Sequence, residues 1–392
     1  MHAFTPESAR ALDVAFTAER VAAAERFAAA PWPTADEEIW RYSRIGELDL
    51  ADFEPGPLDT TVATADGTAS LPAGVLVDLA TLDSYPVLVD GDAPDLFADL
   101  NVAFAAPTVI RVPAGMTIAT PIVVTHHAPV AKSAVFPRLV IDVGEDADVT
   151  VVERFTSEDD ALVVPVVQVR AAQAARVKYL GVNELSTRAW QIGHQQAVGD
   201  ADSTTLLSTV ALGGHYARVR TEARLRGRGG HTKQVALYFA GGEQMHDFRT
   251  IQDHHAPHTS SDLLFKGAVQ EEAASVYTGL IKVRPDARGT NAFQTNRNLT
   301  LGDNADAKSV PNLEIETNDV RCSHASTVGP IDPEHRFYLE SRGVPPEVGN
   351  RLIVLGFFDE VLAQLPVPQV AAELRAAVAA KLDVSAIMEP RP

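Results

Sequence analysis

The feature that most constrains the fold is a long succession of short β runs, which extends from about Thr108 to Val328. Typical runs are Leu139 to Val143, Val149 to Arg154 and Val177 to Val182, and compact polar or glycine-containing turns separate them. So many runs without an intervening helical pattern predict stacked rungs that bury one continuous core. A parallel β-helix and an antiparallel sandwich both fit. We favour the β-helix, because two-residue hairpin turns such as Asn-Gly are absent from this stretch.

Helical patterns flank the β runs. At the N-terminal side, apolar residues recur near a 3.6-residue period from Pro6 to Ala30, which predicts an amphipathic helix. The capping-box pattern Thr34 to Glu37 then predicts a second helix, which would carry Trp40 and Tyr42. Residues 51 to 105 are rich in aspartate, glycine and proline, and we interpret them as a mixed connecting region.

Three helices are predicted after the β runs. Asp332 is a suitable N-cap for a short helix over His335 to Arg342, and Pro345 and Pro346 open a second helix. An alanine-rich third helix covers Val370 to Leu382. The sequence thus divides into an N-terminal helical and mixed region (1–105), a β-helix core (106–330) and a C-terminal helical domain (331–392).

Charge and composition restrict the partners. The chain of 392 residues has a formal net charge of -19, and its first 100 residues hold nineteen acidic residues against five arginines and no lysine. Such a chain is a poor candidate for binding nucleic acid, whose phosphates must be neutralised. The single cysteine indicates a reducing compartment. The sequence contains no run of 18 apolar residues, so it predicts no helix that spans a membrane. We therefore expect a soluble cytosolic protein with protein or small-molecule partners.

The chain's only cysteine lies two residues before a histidine, in the segment from Asp319 to Gly329. On a strand, Cys322 and His324 would project from the same face. A thiolate and an imidazole suit iron, zinc or copper(I), but a closed tetrahedral site needs four ligands. The missing ligands would come from a distant part of this chain or from a second chain. Alternatively, Cys322 is a buried small apolar residue that binds no metal.

Two other clusters have alternative interpretations. His254, His255 and His258 could bind a metal, although a polar turn that exposes histidines is the preferred interpretation, since no HExxH spacing is present. Four arginines at alternate or near-alternate positions would share one face of a strand, which we interpret as a solvated sheet face rather than a nucleic-acid groove. They are Arg218, Arg220, Arg224 and Arg226.

Several segments between about Gly241 and Phe358 form a specific set. They are His246 to Thr250, Ser261 to Gly267, Tyr277 to Gly279, Gln294 to Leu299, Pro311 to Ile315, the Cys322 segment and Phe337 to Gly343. In these segments the chain resembles the SufD family of scaffold subunits in SUF iron-sulfur cluster assembly, and a weaker match covers Glu38 to Tyr42. The related SufB family is the runner-up, disfavoured by the Cys-Ser-His form and the shorter chain.

This resemblance implies a right-handed parallel β-helix flanked by α-helical regions. It also implies a non-catalytic scaffold that pairs with a SufB-like subunit and docks a SufC-like ABC ATPase through its C-terminal helices. His324, with Cys322, would hold a transient iron-sulfur cluster that is shared with the partner subunit. The isolated chain would be a candidate homodimer. The rival class is an enzyme, either a β-helix hydrolase or lyase or a metal-dependent hydrolase that uses the three histidines named above.

Overall fold

Alternating apolar residues from Thr108 onward form strands that coil into a parallel β-solenoid of about 8 turns, with helices at both termini. The computed structural model describes residues 2–67, 71–87 and 93–388, with side chains to Leu382. The chain is 43% strand and 22% helix. The prediction of a mainly β, parallel β-helix flanked by helices is confirmed, and the antiparallel sandwich is excluded.

Two sheets form the walls of the solenoid. Sheet 1 contains β1 (Glu54–Pro55), β3 (Leu76–Val77), β4 (Thr108–Val112), β6 (Ser133–Val135), β7 (Arg138–Val143), β9 (Ala161–Val163), β10 (Val166–Ala171), β12 (Trp190–Gly199), β14 (Tyr216–Leu225), β16 (Met245–His254), β18 (Ala274–Val283) and β20 (Asp306–Ile315). Sheet 2 contains β2 (Asp59–Thr64), β5 (Ile122–Ala128), β8 (Asp148–Ser157), β11 (Arg176–Glu184), β13 (Thr204–Ala211), β15 (His231–Ala240), β17 (Ser260–Val269), β19 (Thr290–Thr300) and β21 (Val320–Gly329).

Successive turns stack in register, so that equivalent residues form ladders along the solenoid. Strands from β4 and β5 onward pair in parallel, whereas β2 and β3 pair antiparallel with β5 and β4. One ladder on the inner face of sheet 2 illustrates the stacking. Its successive register partners are Tyr179, Leu207, Gln234, Leu263, Gln294 and His324.

The helices are α1 (Pro6–Ala11), α2 (Thr17–Ala29), α3 (Leu96–Phe104), α4 (Pro333–Ser341), α5 (Pro346–Leu362) and α6 (Pro368–Met388). The single helix expected over Pro6 to Ala30 is wrong in one respect, because it is broken between α1 and α2. The helix expected after the Thr34 capping box is also wrong, since only a 3-10 turn, Glu38–Trp40, forms there. The predicted C-terminal helices are present, with Asp332 as the N-cap of α4.

Arginines of sheet 1 bind the 3-10 turn Glu38–Trp40. The buried Arg218 guanidinium lies 4.0 Å from the centroid of the Trp40 ring and donates to the Ile39 carbonyl at 2.6 Å. The prediction that the arginines of β14 line a solvated sheet face is wrong for Arg218, which is 1% exposed. Its charge is balanced by Asp247 at 2.7 Å. The N-terminal region thus covers this part of the outer face of sheet 1.

Helices α5 and α6 cover the outer face of sheet 2. Apolar residues of both helices, such as Phe358 and Leu374, share one core cluster with Val235 and Leu237 of β15. Lys381 anchors α6 by donating to the carbonyl oxygens of Leu212 and Phe239 at 2.7 and 2.6 Å. This packing holds α5 and α6 against the solenoid. No helix of the described residues is long and apolar enough to cross a membrane.

Two buried histidines on β16 make the fold sensitive to acid. Burial lowers the pKa of His246 to about 3 and that of His254 to about 4. Both side chains are therefore neutral in the folded chain between these pKa values and pH 6.5. Histidines of the unfolded chain, with a pKa of 6.5, already bind protons in that range. Stability is full above pH 6.5 and falls as the pH decreases, by about 3 kcal/mol for each histidine between pH 6.5 and 4.

Urea denaturation at pH 6.5 and pH 4 measures this loss. We expect His246→Gln to remove about half of it, because glutamine can still donate to the Gly213 carbonyl that His246 Nε2 contacts at 3.1 Å. The control is His335→Gln, at an exposed position of α4, which should leave the loss unchanged. Equal pH dependence in wild type and His246→Gln would show that His246 does not contribute.

Candidate functional site

The two ends of the solenoid differ in how their edge strands are covered. At the first end, the antiparallel strands β3 and β2 pair with β4 and β5. At the other end, β20 pairs only with β18, and β21 only with β19, among the described residues. Each of these last strands is 10 residues long. Long edge strands with unpaired backbone groups are templates for pairing with another chain.

Apolar side chains are exposed at this open end. Leu313 and Ile315 of β20 are 39% and 40% exposed, although their register partners Ile281 and Val283 are fully buried core residues. Val328 of β21 is 44% exposed. These side chains occupy core positions of a turn that no further described turn covers. The open end is therefore an apolar surface of the kind that marks protein interaction sites.

Cys322 and His324 lie on the inner face of β21 at this open end. Their register partners on β19 are Ala292 and Gln294, which are both buried, whereas Phe293 between them is 44% exposed on the outer face. The alternation of a strand therefore directs the thiol and the imidazole to the same side. The sequence correctly indicated a strand here, as the last of the β runs that end near Val328.

The two side chains differ in exposure. Cys322 is half-buried against a small apolar cluster that includes Ile281 and Ala292. This burial raises the pKa of its thiol, although a backbone contact with Ala292 opposes the effect. The isolated chain therefore holds Cys322 as a thiol near neutral pH, and a ligand role would require loss of that proton. His324, in contrast, is exposed.

Polar groups surround the position of His324. Gln294, one turn before it, is 2% exposed and accepts a hydrogen bond from the Tyr277 hydroxyl at 3.3 Å. On β21 the next inner residue, Ser326, donates to Ser309 Oγ of β20 at 2.7 Å and so links the two sheets. Within the described part of the chain, no group of three or more His, Cys, Asp or Glu residues is arranged to hold a metal. Cys322 and His324 are at most part of a site.

The alternative histidine cluster is dispersed in the structure. His254 is fully buried, with hydrogen bonds to Thr259 at 2.8 Å and Ser261 at 2.9 Å. His255 lies 3.0 Å from Asp253, and His258 is exposed in the following turn. The preferred interpretation of an exposed polar turn is therefore wrong for His254, because its alternation within β16 directs it into the core. Both imidazole nitrogens of His254 bind hydroxyl groups, and the described residues do not bring the three histidines together as a group of metal ligands.

The sequence interpretation missed the exposure of α4. This helix has no buried residue, and its aromatic side chains Phe337 and Tyr338 are 72% and 58% exposed. Val348 and Leu352 at the start of α5 are also exposed, at 43% and 50%. The absence of a clear apolar stripe in Pro333–Ser341 is the signal that could have identified an unpacked helix.

Comparison with known proteins identifies a family model and several similar proteins. Residues 125–357 match the family model for the SufBD core domain of SUF system FeS cluster assembly. An iron-sulfur cluster assembly SufBD family protein of Mycobacterium leprae is 32% identical over 365 residues, which are 90% of this chain and 91% of that protein.

Proteins named iron-sulfur cluster assembly protein SufD are also similar to this chain. That of Escherichia coli is 28% identical over 362 residues, or 85% of each chain. That of Bacillus subtilis is 28% identical over 279 residues, or 70% of this chain and 63% of that protein. The resemblance seen in the sequence is thereby confirmed. The chain belongs to the SufBD family of iron-sulfur cluster assembly proteins.

Proposed function

We propose that this chain is a non-catalytic, SufD-type scaffold that pairs with a SufB-like solenoid through its open end. The main support for this proposal is the pair of uncovered edge strands, β20 and β21, with His324 exposed on β21. A partner strand added to either edge would satisfy its backbone groups and cover Leu313, Ile315 and Val328. A second copy of this chain could occupy the same end when the sister scaffold is absent.

The cluster under assembly is the cargo of this interface. His324 supplies one imidazole nitrogen, and the half-buried Cys322 thiol is a second donor after deprotonation. Two donors leave a four-coordinate iron incomplete, so the partner subunit supplies the other ligands. A shared site of this kind makes cluster binding depend on the state of the interface, which suits transient assembly and release. The reducing cytosol remains the expected compartment.

A SufC-like ABC ATPase would dock on the C-terminal helices. The exposed aromatic residues Phe337 and Tyr338 support this proposal, because aromatic side chains are enriched at interaction hot spots. A Walker lysine motif is absent from this chain, so the ATPase would bring the nucleotide site. ATP-driven motion would then reach the interface through α5 and α6, which pack on sheet 2.

Anaerobic affinity purification from the native cells tests both contacts. We expect the tagged chain to recover a second solenoid and an ABC ATPase. Leu313→Asp places a charge in the uncovered apolar surface and should remove the solenoid, whereas the paired change Phe337→Ala and Tyr338→Ala should remove the ATPase. Each variant is the control for the other. Recovery of the wild-type chain alone, with hydrolase activity, would refute the scaffold proposal.

A further inference from the structure

The turn Trp40–Arg41–Tyr42–Ser43 contains a residue that its geometry disfavours. The Ser43 amide donates to the Trp40 carbonyl at 3.0 Å, and Arg41 has φ -56° and ψ 134°. Tyr42 follows with φ 66°. This is the pattern of a type II turn, whose third position requires positive φ and normally holds glycine or asparagine. A bulky side chain at this position is strained.

Contacts on both sides hold the backbone in this strained conformation. Arg218 Nη2 donates to the Ile39 carbonyl at 2.6 Å, and Arg249 Nη2 donates to the Arg41 carbonyl at 2.5 Å. The Trp40 side chain is buried beneath Arg218. The Tyr42 ring gains little from this arrangement, since Tyr42 is 46% exposed. Strain that the residue's own packing does not offset is a feature of functional positions.

The exposed ring lies beside the uncovered edge of sheet 1. Lys308 of β20 places Nζ 5.5 Å from the centroid of the Tyr42 ring. Val310, two residues further along β20 and thus on the same outer face, is 37% exposed. A strand added to β20 would lie about 4.8 Å beyond it. The outer side chains of that strand would therefore come within reach of Tyr42.

We propose that Tyr42 is an aromatic anchor for the partner solenoid, held by Arg218 and Arg249 against the outer face of the added strand. This inference rests on the proposed pairing through the open end and extends its surface from the edge strands to the N-terminal segment. The partner is a second β-solenoid rather than a peptide or a small ligand, because the Tyr42 ring lies beside the edge strand β20, where a strand of another sheet can pair. Tyrosine suits the role, as it combines large contact area with little conformational freedom to lose.

Substitutions at Tyr42 distinguish the effect of backbone strain on stability from the effect of the ring on binding to the partner. Tyr42→Gly and Tyr42→Asn relieve the strain and remove the ring, whereas Tyr42→Phe keeps the ring. We expect the first two to unfold at the same or a higher urea concentration than wild type, yet to raise the Kd for the cognate SufB-like subunit tenfold or more. Tyr42→Phe should leave that Kd within about threefold of wild type.

Comparison with Leu313→Asp shows whether a negative result concerns only Tyr42 as an anchor or the whole pairing through the open end. If wild type binds the sister subunit and Leu313→Asp does not, an unchanged Kd for Tyr42→Gly overturns the anchor while the pairing stands. If wild type does not bind the sister subunit, the pairing and the anchor both fail. Reduced stability of both Tyr42→Gly and Tyr42→Asn would assign Tyr42 a structural role and would also overturn the proposal.

Discussion

His324→Ala is expected to reduce cluster formation on the assembled complex about tenfold or more while leaving the fold intact. Loss of even an indirect partner of a metal ligand costs ten- to a hundredfold in affinity, and loss of a donor costs at least as much. The fold should tolerate the change, because His324 is exposed on an edge strand. The free energy of unfolding should stay within about 0.5 kcal/mol of wild type. Iron and sulfide per complex, measured anaerobically, give the yield.

Ser323→Ala is the matched control for this prediction. Ser323 precedes His324 on β21 and is also exposed, but it projects to the outer face of sheet 2. Ser323→Ala should therefore leave the cluster yield unchanged. Partner binding should be normal in both variants, so that a lower yield reports on the ligand and not on assembly. Unchanged yield for His324→Ala would remove this residue from the mechanism.

Cys322→Ala distinguishes the two donors. Because the thiol is half-buried with a raised pKa, we interpret it as the weaker donor of the pair. Cys322→Ala is therefore expected to lower the cluster yield less than His324→Ala does. Comparison of the two single variants thus addresses the question that the sequence left open, namely whether Cys322 is a ligand or a small apolar residue.

The solenoid could be predicted from the sequence because its determinants are local. Alternating apolar residues and compact turns recur in every turn, and no segment needs a distant partner to be recognised as a strand. The C-terminal helices were predicted for the same reason, since Asp332 and Pro346 mark two helix starts and an alanine-rich run marks the third helix within the local sequence. The broken N-terminal helix was missed because Phe16, with φ 65°, interrupts a pattern that is otherwise continuous.

Features that depend on distant contacts could not be predicted. The alternation in β14 correctly placed its arginines on one face, but it does not reveal whether another segment covers that face. Trp40, far away in the chain, covers Arg218, and it belongs to the 3-10 turn that forms where the sequence predicted a helix. The common face of Cys322 and His324 followed from their spacing. Their position at the end of the solenoid also followed from the sequence, because the last β run ends near Val328 and a helical pattern comes next. Pro311 within β20 agrees with an edge position, since proline in a sheet is confined largely to edge strands.

The contact between the N-terminal segment and sheet 1 depends on one buried carboxylate. Asp247 is fully buried and lies 2.7 Å from both Arg218 Nη1 and Arg249 Nε, and Tyr216 donates to it at 2.8 Å. Burial alone would raise the pKa of Asp247, but the two guanidinium groups and the hydrogen bonds from Arg249 and Tyr216 bring it below its usual value. The carboxylate is therefore charged in the folded chain and compensates two buried cations.

Asp247→Ala is expected to lower the free energy of unfolding by about 3 to 5 kcal/mol, because it leaves buried arginine charge uncompensated. Urea denaturation followed by circular dichroism measures the loss. The control is Asp262→Ala on β17, whose half-exposed carboxylate lies 3.7 Å from Lys233 and should contribute less than about 1 kcal/mol. Similar losses in the two variants would contradict this account. Since Arg218 and Arg249 also bind the carbonyl groups of Ile39 and Arg41, Asp247→Ala should loosen the turn that holds Tyr42, and so weaken pairing as well as stability.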